Sequence, residues 1–100
     1  MIRITISPTG MRISGHAGAA PYGYDIGCAA VSALVQTFKA GAEEFTDDSV
    51  ETLCDPETGQ ITGCVWAREP TEKLKVLIDT MWMGLTMIEH LYPEYVKAEL

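Results

Sequence analysis

Apolar and polar positions alternate at the start of the chain, with Ile2, Ile4 and Ile6 set against Arg3, Thr5 and Ser7. A period of two is the pattern of a strand with one face on a core. Pro8-Thr9-Gly10 carries turn chemistry and Met11 to Ser14 alternates again, so the pattern predicts an opening hairpin. From Asp25 to about Glu44 the period becomes helical, with Ile26, Ala30, Ala33 or Leu34, and Phe38 on one stripe. The first half of this segment is largely alanine, and small side chains let a helix lie close on a sheet, so it is predicted to be the central buried helix. Gly41 and the acidic residues Glu43, Glu44, Asp47 and Asp48 mark its end.

Residues 49 to 54 and 60 to 66 read as a second hairpin around the turn-rich run Asp55-Pro56-Glu57-Thr58-Gly59. Pro70 and Thr71 open a second long helix that runs to about Tyr92 and is stopped by Pro93. Its main stripe is Leu74, Leu77, Ile78, Met81, Leu85 and Ile88, while Val76, Met83 and Met87 fall on roughly the opposite side and His90 continues that second face. A helix with apolar residues on two opposite faces is covered on both. In so short a chain the second cover is expected to be another subunit, with flexible methionines filling the seam. Residues Glu94 to Leu100 are expected to add a helical turn. The predicted fold is α+β: two β-hairpins forming one small antiparallel or mixed sheet packed with two long helices, in a single domain over residues 1–100 that dimerises through the 71–92 helix.

Composition narrows the function. At 100 residues and 47% hydrophobic content, the chain suits one modest core. No apolar run approaches the length of a membrane span, and the alternating N-terminus is unlike a secretory signal, so a cytoplasmic protein with no membrane partner is expected. Three cysteines, an odd number, argue for reduced thiols over a disulfide framework. Asp and Glu outnumber Lys and Arg by 14 to 7, for a net charge of −7. That balance disfavours direct binding to nucleic acid and favours basic partners, although solubility is the more usual reason for it. Neither a Gly-x-Gly-x-x-Gly nor a Gly-x-x-x-x-Gly-Lys run occurs, which leaves nucleotide chemistry without support.

The candidate chemistry lies between the opening hairpin and the first helix. His16 leaves the end of the second strand, and Cys28 follows twelve residues later in the predicted first turn of the helix. Asp25 has the chemistry of an N-cap, which would make Cys28 the third helical residue, its thiolate favoured by the helix dipole and opposed by the Asp25 charge. A Cys–His pair activates a nucleophile, and the N–H groups of Gly27 and Cys28 at a helix start would face an oxyanion. Ser32, one turn after Cys28, shares its face. Residues 17 to 24 are small apart from Tyr22 and Tyr24, which either close over a bound peptide or pack on the helix start. The plain alternative is a buried structural cysteine and an ordinary surface histidine. Cys54 and Cys64 flank the second turn and read as a structural thiol pair lying across from each other. No close Cys-x-x-Cys or His-x-x-x-His spacing is present to hold a metal, and no cofactor is called for.

Gly15-His16-Ala17 followed by Gly23-x-Asp25-Ile26-x-Cys28-Ala29-Ala30-Val31-Ser32-Ala33-Leu34 resembles the signature of the ribosomal-processing cysteine protease family, Prp. The match is dense over residues 15 to 34, and length and element order agree over nearly the whole chain. The resemblance implies a small homodimeric cysteine endopeptidase that removes the N-terminal extension of a large-subunit bacterial ribosomal protein. It implies His16 and Cys28 as the catalytic dyad, with Gly15, Asp25 and Ser32 as surrounding motif residues and a basic ribosomal-protein precursor as substrate. Gly27 departs from the pattern, which has a β-branched residue there. Three rivals remain at this point: a protease acting on a phage or mobile-element precursor, a non-catalytic dimeric binding module of the same fold, and a redox or metal protein built on Cys54 and Cys64.

Overall fold

In a computed structural model, residues 1–15 and 22–99 are described, residues 22–26 by their backbone alone. The alternating N-terminal segment forms β1 (Ile2–Ser7) and β2 (Gly10–Ser14), paired antiparallel with Ile4 opposite Ile13 and Thr5 opposite Arg12. The helical segment is α1 (Tyr22–Phe45), followed by β3 (Glu51–Cys54), β4 (Ile61–Val65), α2 (Glu72–Leu91) and β5 (Val96–Glu99). The two hairpins join through antiparallel pairing of β2 with β4, and the five strands lie in the order β3-β4-β2-β1-β5. The fold class is therefore α+β.

Two expectations fail, for different reasons. Residues 94–100 do not add a helical turn: Val96–Glu99 is a strand parallel to β1, with Ile2 opposite Val96 and Ile4 opposite Ala98, which makes the sheet mixed. Lys, Ala and Glu favour helices in isolation, but Val96 is fully buried in the core and burial outweighs propensity. The buried stripe of α1 is also turned from the predicted one. It runs through Gly27, Val31, Val35, Phe38 and Ala42, while Ala33 is exposed and Ala30 and Leu34 are half-buried. Alanine is equally at home inside and out, so an alanine-rich helix does not announce which side faces the sheet.

One face of the sheet carries Ile2, Ile4, Met11, Ile13 and Cys64, and these join Val31, Val35 and Phe38 of α1 and Leu74, Met81, Leu85 and Ile88 of α2 in a single core. The opposite face presents Arg3, Thr5, Arg12 and Ser14 to solvent. Trp66 pins the first turn to the second hairpin: its indole N–H donates to the Pro8 carbonyl at 3.0 Å, and its ring meets Phe38 edge-on with centroids 5.8 Å apart. The start of α2 is held by a relay. Thr71 caps the helix, its hydroxyl accepting from the Leu74 N–H, while the Asp48 carboxylate accepts from both the N–H and the hydroxyl of Thr71.

The two sheet edges are treated differently. On β5 the outward N–H of Val96 donates to the Tyr92 carbonyl at 3.0 Å, and that of Ala98 donates to the Glu89 carboxylate at 2.9 Å. That edge is closed by the chain's own groups, whereas among the described residues β3 has no such cover along its middle.

Candidate active site

Cys28 stands on α1, half-buried and packed against the core. The helix begins at Tyr22, earlier than predicted, so Asp25 is its fourth residue and not its cap, and Cys28 is its seventh and not its third. This corrects the electrostatic reading. A helix leaves only its first four N–H groups unpaired, here those of residues 22–25, so the N–H groups of Gly27 and Cys28 are spent on the helix ladder and are not free to face an oxyanion. The dipole's influence is concentrated in the first turn, which Cys28 has passed.

Gly27 has a different role from the one predicted. A β-carbon there would lie 3.2 Å from Val96 Cγ2 and 3.9 Å from Ile2 Cδ1, so the bare backbone is what lets α1 settle onto β5 and β1. Its neighbour Cys28 is thereby fixed in height above the sheet. A β-branched residue at this place would press on Val96.

Gly15 ends β2 with φ at +86°, a left-handed conformation that side-chain-bearing residues rarely adopt. A β-carbon would also run into the Met1 carbonyl oxygen and lie 3.5 Å from the Ile2 Cα. Both glycines therefore converge on Ile2, one immediately before Cys28 and the other immediately before His16. Ser32 follows Cys28 by one turn and is half-buried. His16, residues 17–21 and the side chains of Tyr22, Tyr24 and Asp25 lie outside the described residues.

The remaining cysteines separate clearly. Cys64 lies opposite Thr52, while Cys54 lies opposite Ile61, so the two are not across from each other as predicted. Three strand positions separate Cys64 from Cys54's partner, about 10 Å and beyond disulfide reach. Cys64 is fully buried, and desolvation pushes its thiol up to about 11, whereas Cys54 is exposed. His90 is exposed near the end of α2. Among the described residues no group of three or more His, Cys, Asp or Glu side chains is placed to hold a metal ion, and no helix is long and apolar enough to cross a membrane.

A cleft of about 900 Å³ opens on the solvent face of the sheet, lined by Thr5, Ser7, Arg12, Ser14 and Leu53 and reaching Gly15 at one end. Cys28 does not line it, because α1 covers the other face. The sequence reading missed β5, whose Val96 forms the floor under Gly27. The alternation of Val96 and Ala98 with Lys97 and Glu99 was the signal for it.

Comparison with characterised proteins leads first to the cysteine proteases. The sequence profile described as cysteine protease Prp matches residues 1–97, and the chain belongs to that family. The ribosomal processing cysteine protease Prp of Mycoplasma pneumoniae is 32% identical over 99 residues, covering 99% of this chain and 94% of the relative. The crystal structure of an essential ribosomal processing protease Prp from S. aureus in complex with a substrate peptide matches with a TM-score of 0.82 at 22% identity, over 98% of this chain and 95% of that one. A second S. aureus Prp structure, with a covalently linked product peptide, matches with a TM-score of 0.78 at 24% identity over the same shares of the two chains.

Proposed function

We propose that this chain, a single domain over residues 1–100, is an endopeptidase that removes the N-terminal extension of a large-subunit ribosomal protein precursor, with Cys28 as nucleophile and His16 as its acid and base. The observation that carries the reading is family membership across residues 1–97 together with a thiol at position 28 held against the core of the matching fold. The ribosomal substrate is supported by the M. pneumoniae relative, named for ribosomal processing, at 32% identity. With a ribosomal precursor as substrate, the proposed location is the cytoplasm.

Cleavage proceeds in two halves. The Cys28 sulfur attacks the scissile carbonyl; the carbon–nitrogen bond breaks as His16 gives its proton to the departing amine, and a thioester remains. Water then attacks the thioester while His16 takes its proton; the carbon–sulfur bond breaks, releasing the new carboxylate and restoring the thiolate. Gly15 aims the chain toward His16 through its left-handed φ, and Gly27 sets the seat of Cys28. Asp25 and Ser32 support the nucleophile's surroundings, and Tyr22 and Tyr24 close over the peptide. The chemistry needs no metal or organic cofactor.

A second copy of the chain covers the outward face of α2. Val76, Met83 and Met87 are each more than half exposed, at 62%, 64% and 61%. With Thr80 between them they repeat at intervals of four, three and four, the spacing of a helix seam.

The test is incubation of the purified protein with the host's extended ribosomal protein, read by intact mass. Loss of the extension with the wild type, abolished by Cys28→Ala and by His16→Ala, is expected. Processing that survives Cys28→Ala ends the assignment.

A further inference from the structure

Among the described residues, β3 is the sheet edge left open. The Trp66 N–H donates to the Thr9 carbonyl at 2.9 Å, so Thr9 and Trp66 form a hydrogen-bonded pair, and by antiparallel alternation Met11 and Cys64 form the next. The backbone of Cys64 thus faces β2, while Val65 and Gly63 bond across to Glu51 and Leu53. The N–H and C=O groups of Thr52 and Cys54 consequently point away from the sheet, and among the described residues nothing meets those of Thr52. The neighbouring Val50 carbonyl is taken by Lys39 Nζ at 3.1 Å, which marks where the open stretch begins. The opposite edge offers no comparable opening, since Tyr92 and Glu89 occupy its outward N–H groups. An uncovered edge strand is a ready template for another extended chain.

Two further features say what kind of chain fits. A groove of about 450 Å³ runs beside this edge, walled by Gln36, Lys39 and Glu43 of α1 and by Thr52 and Cys54 of β3. A strand laid on β3 would place alternate side chains in it. Half of the 14 carboxylates of the chain fall between residues 43 and 57, a span without a lysine or arginine, and this span contains β3. Lys39, the one basic side chain at the groove, is already paired with Glu43 at 3.1 Å.

We propose that the β3 edge takes up a basic, extended peptide segment as an added strand, bonded through the main chain of Thr52 and Cys54, its cationic side chains held by the surrounding carboxylates. The groove lies about 12–22 Å along α1 from Cys28 at the helical rise per residue. The docked segment is thus a stretch of substrate several residues removed from the bond being cut; that identification, unlike the docking itself, rests on the protease reading above.

The test uses a short peptide of alternating lysine and valine, the same peptide with glutamate for lysine, and the lysine peptide N-methylated at every backbone amide, which keeps the charge and blocks strand pairing along both edges. Binding by fluorescence anisotropy is compared for the wild type and Thr52→Pro, which removes an outward-facing N–H and leaves the ladder bonds of Glu51 and Leu53 to β4 in place. The lysine peptide is expected to bind and to slow hydrogen exchange at the Thr52 amide. N-methylation and Thr52→Pro should each weaken binding by about tenfold or more, and the glutamate peptide should not bind. Equal binding of the N-methylated peptide, unchanged exchange at Thr52, or no binding of the lysine peptide overturns the proposal. The N-methylated peptide keeps the test decisive if Thr52→Pro fails to fold. The readout is binding, so its failure is distinct from a failure to cleave the ribosomal precursor.

Discussion

Gly27 of α1 faces Val96 of β5 so closely that a β-carbon at 27 would lie 3.2 Å from Val96 Cγ2. A residue immediately before Cys28 and a strand near the end of the chain are thus one packing unit. Substituting valine adds a branched side chain where even its first carbon would sit tight against Val96. Gly27→Val should destabilise the protein by roughly 1–3 kcal/mol, as overpacking does, and lower processing by tilting Cys28. Chemical denaturation with the processing assay in parallel checks both effects. A variant as stable as the wild type would show that β5 yields freely.

The thiols should sort by their surroundings. Cys64 is fully buried and its thiol is raised from 9.0 to about 11, so near neutral pH it is neither reachable nor ionised. Iodoacetamide should label Cys28 and Cys54 in the native protein and Cys64 only after denaturation, with Cys28 fastest and slowed by His16→Ala; peptide mass spectrometry reads each site. Because the folded state prefers the neutral thiol, the contribution of Cys64 to stability is complete below about pH 9 and is lost as pH rises toward about 11. Cys64→Ala should remove that alkaline component.

Asp48 and Thr71 make a second, oppositely signed titration. Thr71's hydroxyl, and after it Thr71's N–H, hold the Asp48 carboxyl below its ordinary 3.8, so the charged form favours folding. The sign follows directly: the contribution is present above pH 3.8 and is lost as pH falls through the lower folded value. Asp48→Asn should lower the thermal midpoint at pH 7 and cost less at pH 3, below the ordinary carboxyl value. Equal penalties at both values would place the effect in packing instead of charge.

The outward face of α2 should respond to charge. Glutamate at both Met83 and Met87, exposed by 64% and 61%, leaves the core of a single copy untouched but sets like charges against each other in a paired seam. Sedimentation should show a dimer for the wild type and a folded monomer for the double variant. A wild-type monomer at micromolar concentration would remove the second copy from the reading.

Local chemistry alone determined much of this protein. The Ile2–Ser7 alternation, the turn at Asp55–Gly59 and the Thr71 cap each set their element through nearest neighbours, and both hairpins and both long helices follow from them. The Gly-His and Cys-Ala-Ala-Val-Ser runs were legible for the same reason, since motif chemistry is written in consecutive residues. What the sequence left open are the relations between distant segments. The last residues have helix-forming composition, yet the space beside β1 makes them a strand; an alanine-rich helix hides which of its sides the sheet will cover; and Cys54 and Cys64 take their partners, Ile61 and Thr52, from the register of β3 on β4. Only packing across the sheet settles such questions, because burial of Val96, Gly27 and Cys64 outweighs the local preferences of the residues around them.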